Sequence, residues 1–443
     1  MAGTVAVDQV QEMKRVFDLQ KKSRWKMKNT TVEERIALLG KLSAALEFYQ
    51  EEIDEALYQD LGCPKNSFEV YGVMEELKYT VQHLEEWMKY DVHNHPTIPT
   101  ASYYVQYEPR GVVLVLNAWN APFNLAFTPL IALLAAGNTA IVKPNGETPN
   151  CSAMIAKVIS HAFEEDVVAC FEGRSPVAEE LQKLPFDHVF FTGSPAVGKK
   201  VMKAAAKNLT SVTLELGGRS PLILDETANL KAAAESIAIC KTFNSGQICL
   251  SVNHIFAPRS IITDLVKEIS SSLKTNFYEN DVFLPHKAGK IINERNYERV
   301  TGYVSDAVQQ GASITFGGHF DKGRLSIEPT IVTDVTLGSP LVENEIFASI
   351  IPIVAYDDID EVINHINSGG KPLGIYIFSN DQPFTDRIIN HTSSGGITIN
   401  GCAMHATIPE LPFGGVNESG MGSYHSVHGF KELSHARPVF KTF

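Results

Sequence analysis

A thiol and a carboxylate, each set among glycines, are the side chains of this sequence best suited to covalent chemistry. Cys249 closes the run Asn244-Ser245-Gly246-Gln247-Ile248-Cys249, and 34 residues upstream Glu215 opens Glu215-Leu216-Gly217-Gly218. A thiolate can take up a substrate carbonyl, and a carboxylate can act as the base that frees the product. Glycine beside each lets the backbone approach a ligand closely or adopt positive φ.

Other motifs add possible ligand contacts, each with a plainer alternative. Trp119-Asn120-Ala121-Pro122 follows an apolar run, and the Asn120 amide could donate to a developing oxyanion, or simply form a turn before proline. Lys143 ends another apolar run before Pro144, where it could meet a ligand at a sheet's C-terminal edge or be a surface lysine. Thr192-Gly193-Ser194-Pro195-Ala196-Val197-Gly198 joins a strand to a helix; its glycines suit a phosphate at the helix N-terminus, or an ordinary turn. Their spacing is not G-x-G-x-x-G. Glu343-Asn344-Glu345-Ile346-Phe347 offers a carboxylate that could hold ribose hydroxyls or stay solvated. The stretch from Pro412 to Gly422 is too rich in glycine for a helix or strand and reads as a loop.

These motifs sit on an alternating pattern of elements. Leu39, Leu42, Leu46, Ile53 and Leu57 recur at helical spacing within 32–60, and 67–90 continues in that style. Then come a strand at 112–116, a helix near 123–136, a strand at 140–142, a helix at 150–163, a strand at 167–171, a helix at 176–184, a strand at 188–192 and a helix at 196–207. Such alternation predicts a parallel sheet with helices on both faces. It restarts with a strand at 221–224, helices at 229–242 and 260–274, a strand at 252–257, a long helix near 287–310, and strands around 313, 350–356, 373–378 and 396–400. The fold class is therefore α/β. We expect a dinucleotide-binding domain from 1–91 and 112–216, a catalytic domain over 217–415, and an oligomerisation arm with a C-terminal tail from 92–111 and 416–443. The 91–110 segment, with Tyr103, Tyr104 and Tyr107, reads as a protruding β-hairpin.

Composition narrows the classes. At 443 residues, 44% hydrophobic and 20% charged, the chain has the balance of a globular protein of two or three domains. A net charge of −13 argues against nucleic acid or an anionic membrane as partner. Cysteines at 63, 151, 170, 240, 249 and 402 form no C-x-x-C pair and no metal-ligand spacing, which fits free thiols in a reducing compartment and no metal. Residues 1–14 look like no targeting peptide, and the apolar stretch 125–137 is too short to span a bilayer, so a cytoplasmic location is expected.

In this order, Trp119-Asn120-Ala121-Pro122, Val142-Lys143-Pro144, Phe191 to Gly198, Glu215 to Pro221, Gly246 to Cys249, Glu345 to Ser349 and Pro412 to Gly415 resemble the aldehyde dehydrogenase superfamily over essentially the whole chain. The segment from Met421 to Pro438 is similar to its class-three branch, which handles fatty and aromatic aldehydes and is usually dimeric. The resemblance implies Cys249 as nucleophile, Glu215 as deacylating base, and Asn120 with the Cys249 N–H as oxyanion hole. It implies NAD or NADP as cofactor, met by Lys143, Gly193, Ser194, Val197, Gly217, Glu345 and Phe347. Trp119, Ala121, Phe413 and His425 would line an apolar substrate funnel, and a homodimer is expected.

The sequence departs from the family pattern at four places. Ala121 replaces an aromatic residue, implying a roomier entrance for bulky or long aldehydes. Arg219 replaces lysine, and Ala348-Ser349 replaces Gly-Pro in the loop carrying Glu345. Gly146 stands where an acid often repels a 2′-phosphate, with Glu147 one residue further on, which predicts tolerance of NADP beside NAD. Two other readings remain at this stage: an acylating relative that passes the thioester to coenzyme A or phosphate, and a non-enzymatic descendant. Retention of Glu215 argues against the first, and retention of both the thiol and the base against the second.

Overall fold

The computed structural model describes residues 5–64 and 68–442. Two open α/β sheets carry the motifs. The first runs, in spatial order, Gly420–Met421, Ser211–Leu216, His188–Gly193, Val112–Leu116, Thr139–Lys143 and Val168–Cys170. All are parallel except the two-residue edge strand, which pairs Gly420 with Glu215 in antiparallel sense. From Val112–Leu116 the chain adds strands on one side, then crosses to His188–Gly193 on the other. That reversal opens a crevice at the C-terminal strand ends, where open α/β sheets bind ligands. Asn120, Lys143 and Ser194 all follow or end these strands.

The second sheet runs Ser313–Phe316, Thr330–Thr333, Ile350–Tyr356, His254–Pro258, Pro221–Leu224, Gly374–Phe378 and Gly396–Ile399. Only Ser313–Phe316 is antiparallel to its neighbour. The strands of both sheets are largely buried and rich in Val, Ile and Leu, as expected when helices cover both faces. A third, three-stranded antiparallel sheet consists of His93–Asn94, Ala101–Pro109 and Ser434–Thr442. The segment read as a hairpin does fold back, with His93 opposite Tyr103. Its long strand, however, pairs from Ala101 to Pro109 with the C-terminal strand, so the arm is built from both ends of that reading.

Two corrections concern helices. Residues 7–14, assigned no element from the sequence, begin the helix Val7–Lys28, which buries Met13, Val16, Phe17 and Gln20. Gln20 donates to the Ala140 carbonyl at 2.8 Å, fixing that helix to a strand edge. The long helix expected near 287–310 starts only at Glu294, capped by Asn293. The preceding residues are irregular because their backbone groups are used elsewhere, against the Cys249 turn.

The helix Pro122–Ala136 lies at the centre of the largest apolar cluster and is buried on all sides. Its first amides cannot reach water. Glu69, on the helix Phe68–Trp87, accepts from the N–H groups of Phe123 (3.0 Å) and Asn124 (3.4 Å). Burial outweighs these donors and pushes the Glu69 carboxyl up to about 8. The unfolded chain releases that proton near about 4.3. The contribution of protonated Glu69 is therefore complete below that pH and is lost as pH rises through about 8. Glu69→Gln keeps an acceptor and cannot ionise. It should melt within about 2 °C of wild type at pH 5 and at least about 2 °C above it at pH 8.5. The same melting offset at both pH values in calorimetry would refute the assignment.

Candidate active site

The Cys249 turn is formed by an abrupt change of backbone hand. The helix Leu230–Thr242 ends, and Asn244 (φ 45°), Ser245 (φ 54°) and Gly246 (φ 74°) follow in left-handed conformation. Left-handed backbone at a non-glycine residue is held only where surrounding contacts over-determine it. They do here. Ser245 N–H donates to the Ala288 carbonyl at 2.6 Å and its hydroxyl to the Gly289 carbonyl at 2.9 Å. Gln247 Nε2 donates to the Lys290 carbonyl at 2.9 Å, while its Oε1 accepts from Ile292 N–H at 3.0 Å. A Cβ on Gly246 would lie 2.6 Å from the Ala348 carbonyl oxygen, so this position requires glycine for both space and conformation.

Asn244 also ties this turn to the Asn120 loop: its Nδ2 donates to the Asn120 carbonyl at 2.8 Å. Asn120 is buried just before the N-terminus of the helix that Glu69 caps. Ala121 is the N-cap residue of that helix and is partly exposed.

Electrostatics link the thiol to two carboxylates. Burial pushes the Cys249 thiol up to about 12, and the negative charges of Glu215 and Glu345 add to the shift, opposed by the N–H groups of Leu250 and Cys249. Glu215, on the strand Ser211–Leu216, is pushed well above the usual carboxylate range by burial and then by Glu432. Neither Glu215 carboxylate oxygen has a hydrogen-bond partner among the described residues. A buried carboxyl with open acceptor sites is expensive in a fold and common at a reacting centre.

Glu345 accepts from Gly218 N–H at 3.1 Å, and burial raises its carboxyl to about 7. A Cβ on Gly217 would lie 2.5 Å from both Glu345 oxygens, so the carboxylate sits directly on the glycine pair. The loop is anchored without the family's Gly-Pro. Arg299 donates to the Glu345 carbonyl (2.9 Å) and the Ile346 carbonyl (3.0 Å). Asn253 accepts from Ile346 N–H (2.8 Å) and donates to the Asn344 carbonyl (3.0 Å). Phe347 (φ 54°) meets Trp119 edge-on, with ring centroids 5.5 Å apart. Arg219 keeps an ionic contact, to Glu343 at 3.2 Å, and reaches the Gly369 carbonyl at 2.8 Å.

Phe413 and His425 stack at 5.0 Å, and burial lowers the His425 imidazole to about 4, so it is neutral near pH 7. Beside this stack is Tyr424, which lies edge-on to both rings and feels the charges of Glu215 and Cys249. Tyr424, Asn244, Arg299 and Asn253 went unnoticed as site residues in the sequence. Only Asn244 carried a signal, as a residue tolerant of left-handed backbone just before glycine.

Lys143 and Gly193 end strands of the first sheet at its C-terminal edge, and Ser194 and Val197 begin the helix that follows Gly193. Lys143 ends its strand, buried, with its ammonium lowered to about 8 by desolvation. Ser194 is the N-cap of the helix Pro195–Ala205, with its side chain making no cap hydrogen bond. Gly198 lets that helix approach Leu216, where a Cβ would meet Cδ2 at 2.8 Å. The crevice is thus bounded by a cation, an open helix N-terminus and, at its far end, the Glu345 carboxylate. Those groups fit the adenosine, diphosphate and second ribose of a dinucleotide. Two further details bear on its adenosine end. Glu147 is engaged by Asn293 Nδ2 at 3.1 Å, and a Cβ on Gly146 would lie 2.9 Å from Arg174 Cγ. Among the described residues, no three His, Cys, Asp or Glu side chains are grouped to hold a metal, and no helix is long and apolar enough to cross a membrane.

Comparison with known proteins gives this arrangement its class. Residues 1–439 match the aldehyde dehydrogenase family. The chain is 42% identical over 412 residues to 4,4'-diaponeurosporen-aldehyde dehydrogenase of Staphylococcus aureus, covering 91% of this chain and 88% of that protein. It is 39% identical over 420 residues to the dimeric NADP-preferring aldehyde dehydrogenase of Rattus norvegicus, covering 93% and 90%. A substrate-bound structure of Staphylococcus aureus AldH superposes with a TM-score of 0.91 at 38% identity, covering 97% of this chain and 94% of that one. The chain belongs to the aldehyde dehydrogenase family. Its activity is the NAD(P)-dependent oxidation of aldehydes.

Proposed function

We propose that Cys249 carries the substrate as a thiohemiacetal and then a thioester, that Asn120 and the Cys249 N–H hold the oxyanion, and that Glu215 activates the water that releases the acid. The observation that carries this reading is the buried Glu215 carboxyl, unpartnered and within electrostatic reach of the Cys249 thiol. The thiol gives its proton to solvent and its sulfur bonds to the aldehyde carbon, whose C=O π electrons move to oxygen and leave an alkoxide. Asn120 is held for that oxygen by the Asn244 tether. A bound nicotinamide would supply the hydride acceptor that turns this adduct into the thioester. Water then attacks the thioester while Glu215 takes its proton, the C–S bond breaks, and the acid departs. Open acceptor sites on Glu215 favour water over coenzyme A or phosphate as the final acceptor. Trp119, Ala121, Phe413 and His425 would line the aldehyde's path, with Ala121 leaving room for fatty or aromatic groups.

Glu215→Gln should form the acyl-enzyme and stop there. The expected result is one burst of reduced cofactor per active site, an acyl mass on Cys249, and steady turnover lower by about 10²–10⁴-fold. Steady turnover at the wild-type rate would dismiss Glu215 as the base.

Lys143, Gly193, Ser194, Val197 and Gly217 are assigned to the cofactor, with Glu345 and Phe347 at its nicotinamide end. We further infer that the adenosine end accepts a 2′-phosphate. No acid projects from Gly146, Glu147 is held by Asn293, and Arg174, exposed and without an ion pair among the described residues, crosses above Gly146. A guanidinium there can pair with phosphate in bidentate fashion. Arg174→Ala should weaken 2′,5′-ADP binding by about tenfold or more, as loss of a charged hydrogen bond does. Binding of 5′-AMP should stay within about twofold. Equal weakening of both ligands in calorimetric titration would remove Arg174 from phosphate recognition.

A homodimer is the assembly we infer, supported by two strands at sheet edges, Ser434–Thr442 and Gly396–Ile399. The reading 1–91 with 112–216, 217–415, and 92–111 with 416–443 remains the proposed division into cofactor, catalytic and arm regions. Six free cysteines support a reducing, cytoplasmic setting. Sedimentation as a monomer would rule out the dimer, and recovery of the native protein outside the cytoplasmic fraction would rule out the setting.

A further inference from the structure

Behind the Cys249 turn lie two more cysteines that the reaction does not use. Cys240 is in the last turn of the helix Leu230–Thr242, and Cys402 lies three residues beyond the end of the strand Gly396–Ile399. Both are partly exposed, both are free, and both pack against the same apolar cluster. They lie within hydrogen-bonding reach of each other. A set of side-chain contacts fixes the neighbourhood. The Cys240 thiol donates to the Leu250 carbonyl at 3.6 Å, and the Tyr376 hydroxyl donates to the same carbonyl at 2.6 Å. The Tyr376 ring lies 6.4 Å from that of His405, just beyond Cys402. The dithiol and the nucleophile therefore meet at one peptide, that of the residue after Cys249.

The two sulfurs are not equivalent. The Cys402 S–H, a Val252 backbone group, the Lys241 ammonium and Ser251 all act to hold Cys240 below the ordinary thiol value, against its burial. Cys402 is pushed well up, first by Cys240 and then by burial. Lys241 is itself buried, donating to the Val252 carbonyl at 2.9 Å. A thiolate-prone sulfur next to a protonated partner is the arrangement of an attacking and a resolving cysteine.

We propose that Cys240 and Cys402 form an oxidisable pair, a modification site for hydroperoxides that closes as a disulfide behind the Cys249 turn. The Cys240 thiolate attacks one oxygen of hydrogen peroxide; the O–O bond breaks, a sulfenic acid forms and one water leaves. Cys402 then attacks the Cys240 sulfur, the S–O bond breaks, a second water leaves and the S–S bond forms. Two electrons pass from the sulfurs to the peroxide, and a dithiol reductant reverses the change. Closure removes the Cys240 donor from the Leu250 carbonyl and ties the end of a helix to the loop at 400–404.

The test uses the full chain with Cys249→Ala, so the nucleophile cannot compete, treated with equimolar hydrogen peroxide. The expected result is loss of two free thiols and a disulfide-linked peptide pair containing Cys240 and Cys402, both reversed by dithiothreitol. With Cys402→Ser added, dimedone should instead trap a sulfenic acid on Cys240. Failure of the linked pair to form, or separate over-oxidation of either cysteine, would overturn the proposal. This readout needs no turnover, so it stands or falls apart from the roles assigned to Cys249 and Glu215. In the otherwise native enzyme, the dithiothreitol-reversible part of peroxide inactivation should shrink at least about threefold on Cys402→Ser. An unchanged reversible fraction would show that closure does not reach the Cys249 turn.

Discussion

The reversal of backbone hand at Asn244, Ser245 and Gly246 is the constraint on which the site depends. It takes the chain out of the helix Leu230–Thr242 and presents Cys249 toward the strand that carries Glu215. Ser245 cannot hold that conformation cheaply by itself. The segment 288–292 supplies the compensation, giving carbonyls from Ala288, Gly289 and Lys290 and an amide from Ile292. Those residues are consequently not helical. Through its side chain Asn244 passes the same constraint to Asn120, so the Cys249 turn and the Asn120 loop are positioned together.

Burial then governs the chemistry. Cys249 and Glu215 are both shifted toward their neutral forms, and the charge of Glu215 contributes to the shift at the thiol. Two negative charges at once would be costly in so dry a place. The charges of this pair are therefore best carried in turn: on sulfur, with Glu215 neutral, when the carbonyl is attacked, and on the carboxylate once the sulfur is acylated, until it takes the proton of water. Glu345 adds a third acid, also raised, which Gly218 N–H and Arg299 hold in check. Tyr424 and neutral His425 complete the surroundings without adding positive charge at neutral pH.

Much of this was legible in the sequence, and the parts that were not have physical reasons. The strands Val112–Leu116 and Pro221–Leu224 and the helices beside them follow from short apolar runs and helical periodicity. The strand Ser211–Leu216 was not anticipated, because its buried Glu215 and small polar residues break the expected pattern of a parallel strand. The C-terminal strand Ser434–Thr442 was hidden for the opposite reason. It is mostly exposed, and its partner Ala101–Pro109 lies more than three hundred residues away in the chain. Its pairing is a property of the fold and leaves no local periodicity. Residues that support the site by hydrogen bonds to backbone, such as Arg299 and Asn253, have no signature at all in a single sequence.

The departures from the family pattern show how such support works. Replacing Gly-Pro by Ala348-Ser349 would be expected to loosen the loop carrying Glu345. Instead, Ala348 is buried with its carbonyl against Gly246, and Ile350 N–H returns to that carbonyl at 2.9 Å. Arg299 and Asn253 fix the residues just before it. The loop's position is thus set by contacts outside its own sequence, and the carboxylate stays on the Gly217-Gly218 pair. Gly146 shows the converse. There a side chain would meet the Gly173 carbonyl oxygen at 2.8 Å and Arg174 Cγ at 2.9 Å, so the close approach of residues 173–174 requires the glycine. A local change is absorbed where neighbours over-determine the backbone, and at Gly146 the neighbours leave no space for a side chain at all.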